Sequence, residues 1–207
     1  MLGFYSQKDS TENLGNWYQH FLWLVKNCPA DSICGARAIP KGCSESQVAT
    51  IKGLWLLQIS RDPTNFRIIA NAAFCLRDKD YLLAKSLFED LMRMDCDNPA
   101  WTSQRAFLCL KNIKNNPNVL NDCEQAIILE TERGARFLLL NEMCDYALES
   151  KELSRAESYA HTMLRIASEM DVMQDWAYSW LGRVALANGQ DEIVLHILAV
   201  MQDCIFR

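Results

Sequence analysis

The chain has 207 residues, of which 50% are apolar and 23% charged, and it carries a net charge of −5. This composition is typical of a folded protein with a substantial core, and it excludes a disordered chain. The acidic balance, with Lys and Arg scattered along the sequence, argues against nucleic acid as a partner. Every apolar run is far shorter than the roughly 20 residues that a bilayer-crossing helix needs, so we predict no membrane span.

The first sixty residues predict two helices joined by a long loop. Apolar residues between Trp17 and Val25 recur at helical spacing, and this first helix ends near Pro29. A second helix covers residues 46–60 and ends before Pro63, which cannot continue a helix. The connection between them, residues 28–46, is rich in Cys, Pro and Gly. We interpret residues 1–60 as an N-terminal helix-loop-helix cap.

Residues 61–207 follow a more regular pattern of eight further helices with short turns, which we interpret as one continuous domain. A small residue recurs at nearly constant intervals, late in the first helix of each pair: Ala72, Ala106, Cys144 and Gly182. Such regular periods are typical of solenoids, because a single helical hairpin cannot bury both of its faces without a neighbour. The sequence therefore predicts an all-α fold of ten helices in five hairpins.

Residues 65–98 resemble a tetratricopeptide repeat. The small residue Ala72 lies in the first helix, Tyr81 opens the second, and Ala84 and Phe88 follow at the family's spacing. The segment "MDCDNP" is similar to the family's Asp-Pro-x-Asn exit, and "SRDPTN" is similar to the same exit at the end of the preceding unit.

The resemblance extends to residues 175–207, where "WLGRVALANGQ" is similar to the family's Leu-Gly…Gly pattern, and with insertions to residues 99–172. The sequence departs from the family at Cys96, which replaces a Pro, and at Lys79 and Lys151, which replace a turn Gly. The whole chain also resembles uncharacterised bacterial repeat proteins that open with a "WLV…P" helix, a loop and "ANAA".

The resemblance implies a right-handed superhelical stack of antiparallel helix hairpins, a TPR-like α-solenoid. Such arrays hold a peptide or helix of another protein in a concave groove lined by the first helix of each hairpin. The residues that correspond to groove positions in this sequence are Phe66, Ile69, Arg77, Phe107, Lys111, Asn141, Asp145, Trp176 and Arg183. We therefore expect a protein–protein interaction scaffold with an unidentified protein or peptide partner.

The sequence offers little support for an enzyme. His161 and His196 each follow a Glu by four positions, whereas helical di-iron sites use Glu-x-x-His. There is no Gly-rich phosphate loop, Gly-x-Ser-x-Gly or His-Glu-x-x-His motif. We expect no catalytic residue, no metal and no cofactor.

The nine cysteines leave two alternatives open. Cys28, Cys34 and Cys43 lack the close Cys-x-x-Cys pairs of zinc sites, so we favour simple packing, with a disulfide or a metal- or redox-active loop as alternatives. The odd cysteine number and the polar N-terminus favour a cytoplasmic location. An exported protein whose leader has been removed is the alternative.

Exposed apolar residues at the ends of the array are the basis of a third hypothesis, self-assembly into a homodimer. Trp17 and Trp23 are candidates for an exposed docking patch, and the apolar C-terminal segment "HILAVMQDCIF" for a pairing surface. The other tryptophans recur at helical spacing that is typical of core positions: Trp55, Trp101, Trp176 and Trp180.

Overall fold

The structure, a computed structural model, describes residues 11–36, 38–113, 116 and 118–205, with side chains described for 14–36, 38–113, 116 and 118–202. Within these residues there are ten α-helices, one 3-10 helix (Ser32–Cys34) and no strand, which confirms the all-α prediction. The α-helices in chain order are α1 (Thr11–Asn27), α2 (Glu45–Arg61), α3 (Phe66–Leu76), α4 (Tyr81–Met94), α5 (Pro99–Asn112), α6 (Asn118–Leu129), α7 (Arg133–Glu149), α8 (Leu153–Met170), α9 (Gln174–Ala187) and α10 (Asp191–Ile205).

Local sequence signals determine where several helices begin. Ser44 caps α2 in a reciprocal capping box with Gln47, and Asn65 and Asp80 cap α3 and α4 by accepting hydrogen bonds from backbone N–H groups. A cap of this kind stabilises a helix by about 1 kcal/mol, because it satisfies a backbone donor that has no partner inside the helix.

The chain forms two compact units, with the division between Trp101 and Thr102 inside α5. The first unit therefore contains both the predicted cap, residues 1–60, and the first predicted repeat. The second unit contains the remaining predicted repeats.

In the first unit, α1 and α2 run in the same direction and do not form the hairpin that the sequence predicted. Near the start of both helices, a Cβ placed on Gly42 would lie 3.1 Å from the Leu14 side chain. Near their ends, the Gln58 side-chain amide donates to the Lys26 carbonyl oxygen at 3.2 Å. Two neighbouring parallel helices require the connecting chain to return along their full length, and the long loop makes this return.

The returning loop packs along α3. The Asn71 side-chain amide donates to the carbonyl oxygens of Pro29 and Asp31, both at 2.8 Å, and the Ile39 N–H donates to the Cys75 carbonyl oxygen. A Cβ on Gly35 would lie 2.5 Å from the Asn71 Oδ1 atom, so only glycine fits there. Asn71 is thus a buried polar residue whose hydrogen bonds hold the loop in place.

Helices α3 and α4 pack closely through small residues, as the repeat pattern predicts. Ala72 and Ala84 are both fully buried, and the rings of Phe74 and Phe88 meet edge to face at 5.4 Å. Small side chains at a helix crossing let the two backbones approach, and the adjacent aromatic pair fills the space beside the crossing.

The second unit has two layers of helices around one hydrophobic core. The first helices of successive pairs, α5, α7 and α9, contact one another in order, and α6 and α8 are linked on the other layer through Glu124. The Cys144 thiol lies 3.7 Å from the Ala156 carbonyl oxygen, so a small residue again marks the crossing of α7 and α8. The Tyr159 hydroxyl donates to Glu124, and burial together with this bond raises the pKa of Tyr159.

Turns between helices recur in step with the repeats. Between α2 and α3, Asp62 caps the end of α2, and Asn65 caps the start of α3. The Asn65 side-chain amide donates a hydrogen bond to the Asp62 carboxylate. Between α4 and α5, at the end of the following repeat, Asp95 caps α4 and accepts a hydrogen bond from Asn98. This recurrence supports a helical repeat in the first unit.

The second unit contains a different recurring turn. Lys151 (φ 61°) follows α7 and Gly189 (φ 69°) follows α9. In both turns the next residue donates its N–H back to a helix carbonyl, from Glu152 to Ala147 at 2.8 Å and from Gln190 to Ala185 at 2.9 Å. The two turns are separated by the same interval as Cys144 and Gly182 in the sequence.

None of the helices in the described residues has both the length and the hydropathy that a bilayer crossing requires.

Candidate functional site

Six of the nine predicted groove residues lie on α5, α7 and α9 of the second unit, and the structure connects five of them in a network. The first link joins α5 to α7. The Lys111 ammonium lies 4.5 Å from the centre of the Phe107 ring and 3.7 Å from the Glu142 carboxylate. We call the surface formed by Phe107, Lys111, Asn141, Glu142, Asp145, Trp176 and Arg183, together with the buried Trp180 that Arg183 covers, the α5–α7–α9 face.

The second link joins α7 to α9 through a tryptophan and an arginine. The Trp180 indole N–H donates to Asn141 Oδ1 at 2.7 Å, and the Arg183 guanidinium stacks 3.9 Å from the centre of the Trp180 ring. Arg183 also pairs with Asp145 at 3.2 Å. The indole therefore has one partner at its edge and another on its face, and this fixes its orientation.

Trp176 supplies the largest apolar group available to a ligand on this face. Its side chain is 45% exposed, and its ring packs edge to face on Phe137 with centroids 6.0 Å apart. Phe137 is fully buried, so it holds the base of the indole while the outer part remains in contact with water. Half-exposed, well-supported tryptophans are frequent energetic anchors in protein interfaces.

The charges of the α5–α7–α9 face balance, with Lys111 and Arg183 against Glu142 and Asp145. Both ion pairs are partly exposed, and each stabilises the unit by about 1 kcal/mol or less. A ligand that offers a carboxylate or a backbone carbonyl can therefore compete for the two cations at small cost. The face can bind through ring planes and hydrogen bonds.

The remaining three predicted groove residues belong to the first unit: Phe66 and Ile69 lie on α3, and Arg77 caps its end. Phe66 is 46% exposed and Arg77 half-buried, but Ile69 is only 3% exposed. The expectation that Ile69 faces outward is therefore corrected: eight of the 11 residues of α3 are buried, because α2, α4 and the returning loop all cover this helix. Helical spacing on α3 could not reveal the covering loop.

The exposure of the tryptophan side chains also differs from the sequence prediction. Trp23 is 60% exposed, as predicted for a docking patch, whereas Trp17 is 5% exposed and stacks on Phe21. Trp55 and Trp180 are buried as predicted for the core, but Trp176 is not.

Three cysteines of the first unit are buried, and burial favours their neutral thiol form. Burial raises the pKa of Cys34 to about 11 and that of Cys75 to about 12, and it also raises the pKa of Cys43. The eight cysteines with described side chains form no disulfide with one another, and the Cys204 side chain lies outside the described residues. A reactive cysteine needs a lowered pKa, whereas burial raises the pKa of Cys34 and Cys43.

The histidines have no metal-binding arrangement in the part of the chain that the structure describes. His161 and His196 are exposed, and no group of three or more His, Cys, Asp or Glu side chains among the described residues is arranged to hold a metal ion.

Sequence reasoning missed Glu142 as a member of the α5–α7–α9 face and assigned Trp180 to the core only. The position of Trp180, one helical turn after the predicted Trp176, places both on the same side of α9 and was the available signal. Glu142 carried no comparable signal, because its role depends on the neighbouring helix that brings Lys111 to it.

In comparisons with known proteins, no family model, no curated protein and no solved structure matched this chain.

Proposed function

We propose that the second unit is a non-enzymatic protein–protein interaction module that binds a peptide or a helix of another protein on the α5–α7–α9 face. The observation that carries this proposal is the network of side chains from three helices that are distant in sequence. Beside this network, the same face carries the supported aromatic anchor Trp176, and the charged groups of the network form ion pairs that are weak. This combination suits protein recognition, in which a few anchors provide most of the affinity.

In this proposal the helix pairs form a TPR-like array with a right-handed superhelical arrangement, and the first helices line its concave side. The Asp-x-x-Asn turns that recur in the first unit and the left-handed turns that recur in the second support this repeat register. The cytoplasmic location stays a prediction from the cysteine pattern.

The partner would contact the face in two ways. An apolar side chain would cover the exposed part of Trp176, which removes both surfaces from water. Arg183 and Lys111 would donate hydrogen bonds to a carboxylate or to backbone carbonyl oxygens in place of Asp145 and Glu142. The partner can thus be uncharged overall, because the face carries no net charge.

The test uses peptides selected from a random displayed library on the intact chain, followed by fluorescence anisotropy with each purified peptide. Trp176→Ala is expected to weaken binding by about tenfold or more, equivalent to about 1.4 kcal/mol. Trp23→Ala is the matched control, because Trp23 is another exposed tryptophan but lies on α1. Arg183→Ala is expected to weaken binding of the same peptides.

The proposal fails if the selected peptides bind the Trp176→Ala and Arg183→Ala variants as tightly as the wild type, provided that circular dichroism shows both variants folded. It also fails if no peptide binds the chain at micromolar concentration.

A further inference from the structure

A groove runs between α1 and α2 on the outward side of the first unit. It has a volume of about 530 Å³ and is lined by the stripe from Gln19 to Lys26 on α1 and the stripe from Thr50 to Leu57 on α2. On each helix the second, third and fourth lining residues come three, four and seven positions after the first. This is the spacing of residues on one side of an α-helix, so both helices present one continuous face to the groove.

The groove is apolar and open. Trp23 is 60% exposed and Leu57 is 44% exposed, although both line it. A Cβ built on Gly53, at the middle of the α2 stripe, would meet nothing within 4 Å. Two adjacent helices with matching stripes form the seat for a third helix, whose apolar side chains fill the space between them.

The direction of the two helices determines which way the third helix runs. Because α1 and α2 are parallel, both of their carboxyl ends lie at the same end of the groove. Lys26 and Arg61, both exposed, stand in the last turns of α1 and α2 at this end. An antiparallel helix with acidic residues in its first turn complements both the helix dipoles and these two cations.

Helix α10 has these properties. Asp191 and Glu192 occupy its first turn and are exposed. Leu195 is 67% exposed and Leu198 is 52% exposed, whereas Ile197, which lies between them in the sequence, is buried. Asp191, Leu195 and Leu198 follow one another at intervals of four and three, which places the acidic residue and both leucines along one stripe.

We propose that α10 of one copy of the chain docks into the α1–α2 groove of a second copy, antiparallel to both helices, and that copies associate head to tail. Leu195 and Leu198 pack against Trp23, Leu54 and Leu57, while Asp191 and Glu192 pair with Lys26 and Arg61. The two contacting surfaces are different, so each copy keeps one free groove and one free α10, and assembly continues until a ring closes or a chain grows.

The test uses two variants of the full chain, each blocked on one surface. Gly53→Arg fills the groove, and Leu195→Lys places a charge on the exposed α10 stripe. Both positions are exposed, so we expect far-ultraviolet circular dichroism to match the wild type. Light scattering then measures the average molar mass of the particles in solution. The protein concentration is varied roughly thousandfold, from micromolar to millimolar, the range in which weak complexes form.

We expect the wild type to associate, as a closed ring of two or more copies or as a growing chain, and each variant alone to remain a monomer. A mixture of equal amounts of the two variants should form a species of twice the mass of one chain and no larger, because one intact groove and one intact α10 remain. In the wild type, Lys26→Glu should weaken association, and adding Asp191→Lys should restore it.

Three results would overturn the proposal. A wild type that stays monomeric over the whole range excludes association. If Leu195→Lys alone still dimerises, the groove pairs with another groove. If Gly53→Arg alone still dimerises, α10 pairs with another α10. None of these results bears on Trp176, so this proposal and peptide binding on the α5–α7–α9 face fail independently.

Discussion

Replacing Lys151 by glycine is expected to stabilise the protein, because this residue holds a left-handed backbone conformation. Its φ is 61°, and the turn around it is closed by hydrogen bonds from Lys151 to Leu148 and from Glu152 to Ala147. Gly189 occupies the equivalent position in the next repeat with φ 69°, which shows that the turn accepts glycine.

The size of the effect follows from the backbone alone. A left-handed conformation costs an ordinary residue about 1–2 kcal/mol. Glycine avoids this cost but gains freedom in the unfolded chain, which reduces the benefit by about 0.4–1 kcal/mol. The expected net gain for Lys151→Gly is therefore about 0.5–1 kcal/mol, equivalent to a rise in Tm of about 1–4 °C for a chain of this size.

Thermal and urea unfolding followed by circular dichroism measure this difference, with Lys151→Ala as the matched control. Alanine removes the lysine side chain but keeps the strained backbone, so it should leave stability nearly unchanged. The reverse substitution, Gly189→Ala, should lower stability. If Lys151→Ala stabilises the protein as much as Lys151→Gly, the gain comes from the side chain, and the argument from the backbone is refuted.

Three further predictions follow from other parts of the fold. Gly182→Ala should raise the free energy of unfolding by up to about 1 kcal/mol in urea titrations, because a Cβ there would make an ordinary contact of 3.8 Å with Ile197 and alanine is the better helix former. A loss of stability would mean that the packing of α9 against α10 requires a glycine at this position. The hydrogen bond from Lys52, aided by the cap bond from the Leu83 N–H, lowers the pKa of Asp80. The stability that this pair contributes is therefore present above the pKa of an unfolded Asp carboxyl, about 3.9, and is lost as the pH falls below that value. Lys52→Met should therefore lower the free energy of unfolding at neutral pH by about 1 kcal/mol or less. The difference from the wild type should shrink in unfolding measurements below about pH 4. A difference that stays constant with pH would contradict this role of Lys52. Mass spectrometry after alkylation of the native chain should show fast modification of the exposed Cys28 and Cys96, and equal rates for all described thiols would contradict their burial. The thiols expected to react slowly, because burial raises their pKa, are Cys34, Cys75, Cys123 and Cys144.

The sequence predicted the positions of candidate-site residues best where the repeat spacing alone determines which side of a helix a residue lies on. Asn141 and Arg183 were placed on the first helices of successive pairs, and Trp180 contacts both of them, Asn141 across from α7 and Arg183 within α9. The same register argument did not hold for Ile69, because the covering of α3 depends on a loop whose path has no helical period. Periodicity describes one helix and its direct neighbours, and it carries no information about irregular segments that pack from elsewhere.

Spacing in the sequence determined the helices, their capping residues and the repeat intervals, because these depend on interactions between residues that are close along the chain. Ser44, Asn65 and Asp80 cap helices through backbone groups in the first turn that follows each of them, and Lys151 stands where a repeat needs a turn. Tertiary structure decided the parallel course of α1 and α2, which requires the connecting loop to return along both helices, and Asn71 holds this loop against α3. It also decided that Glu142 meets Lys111, since such contacts join residues from different helices whose approach depends on the packing of the whole unit.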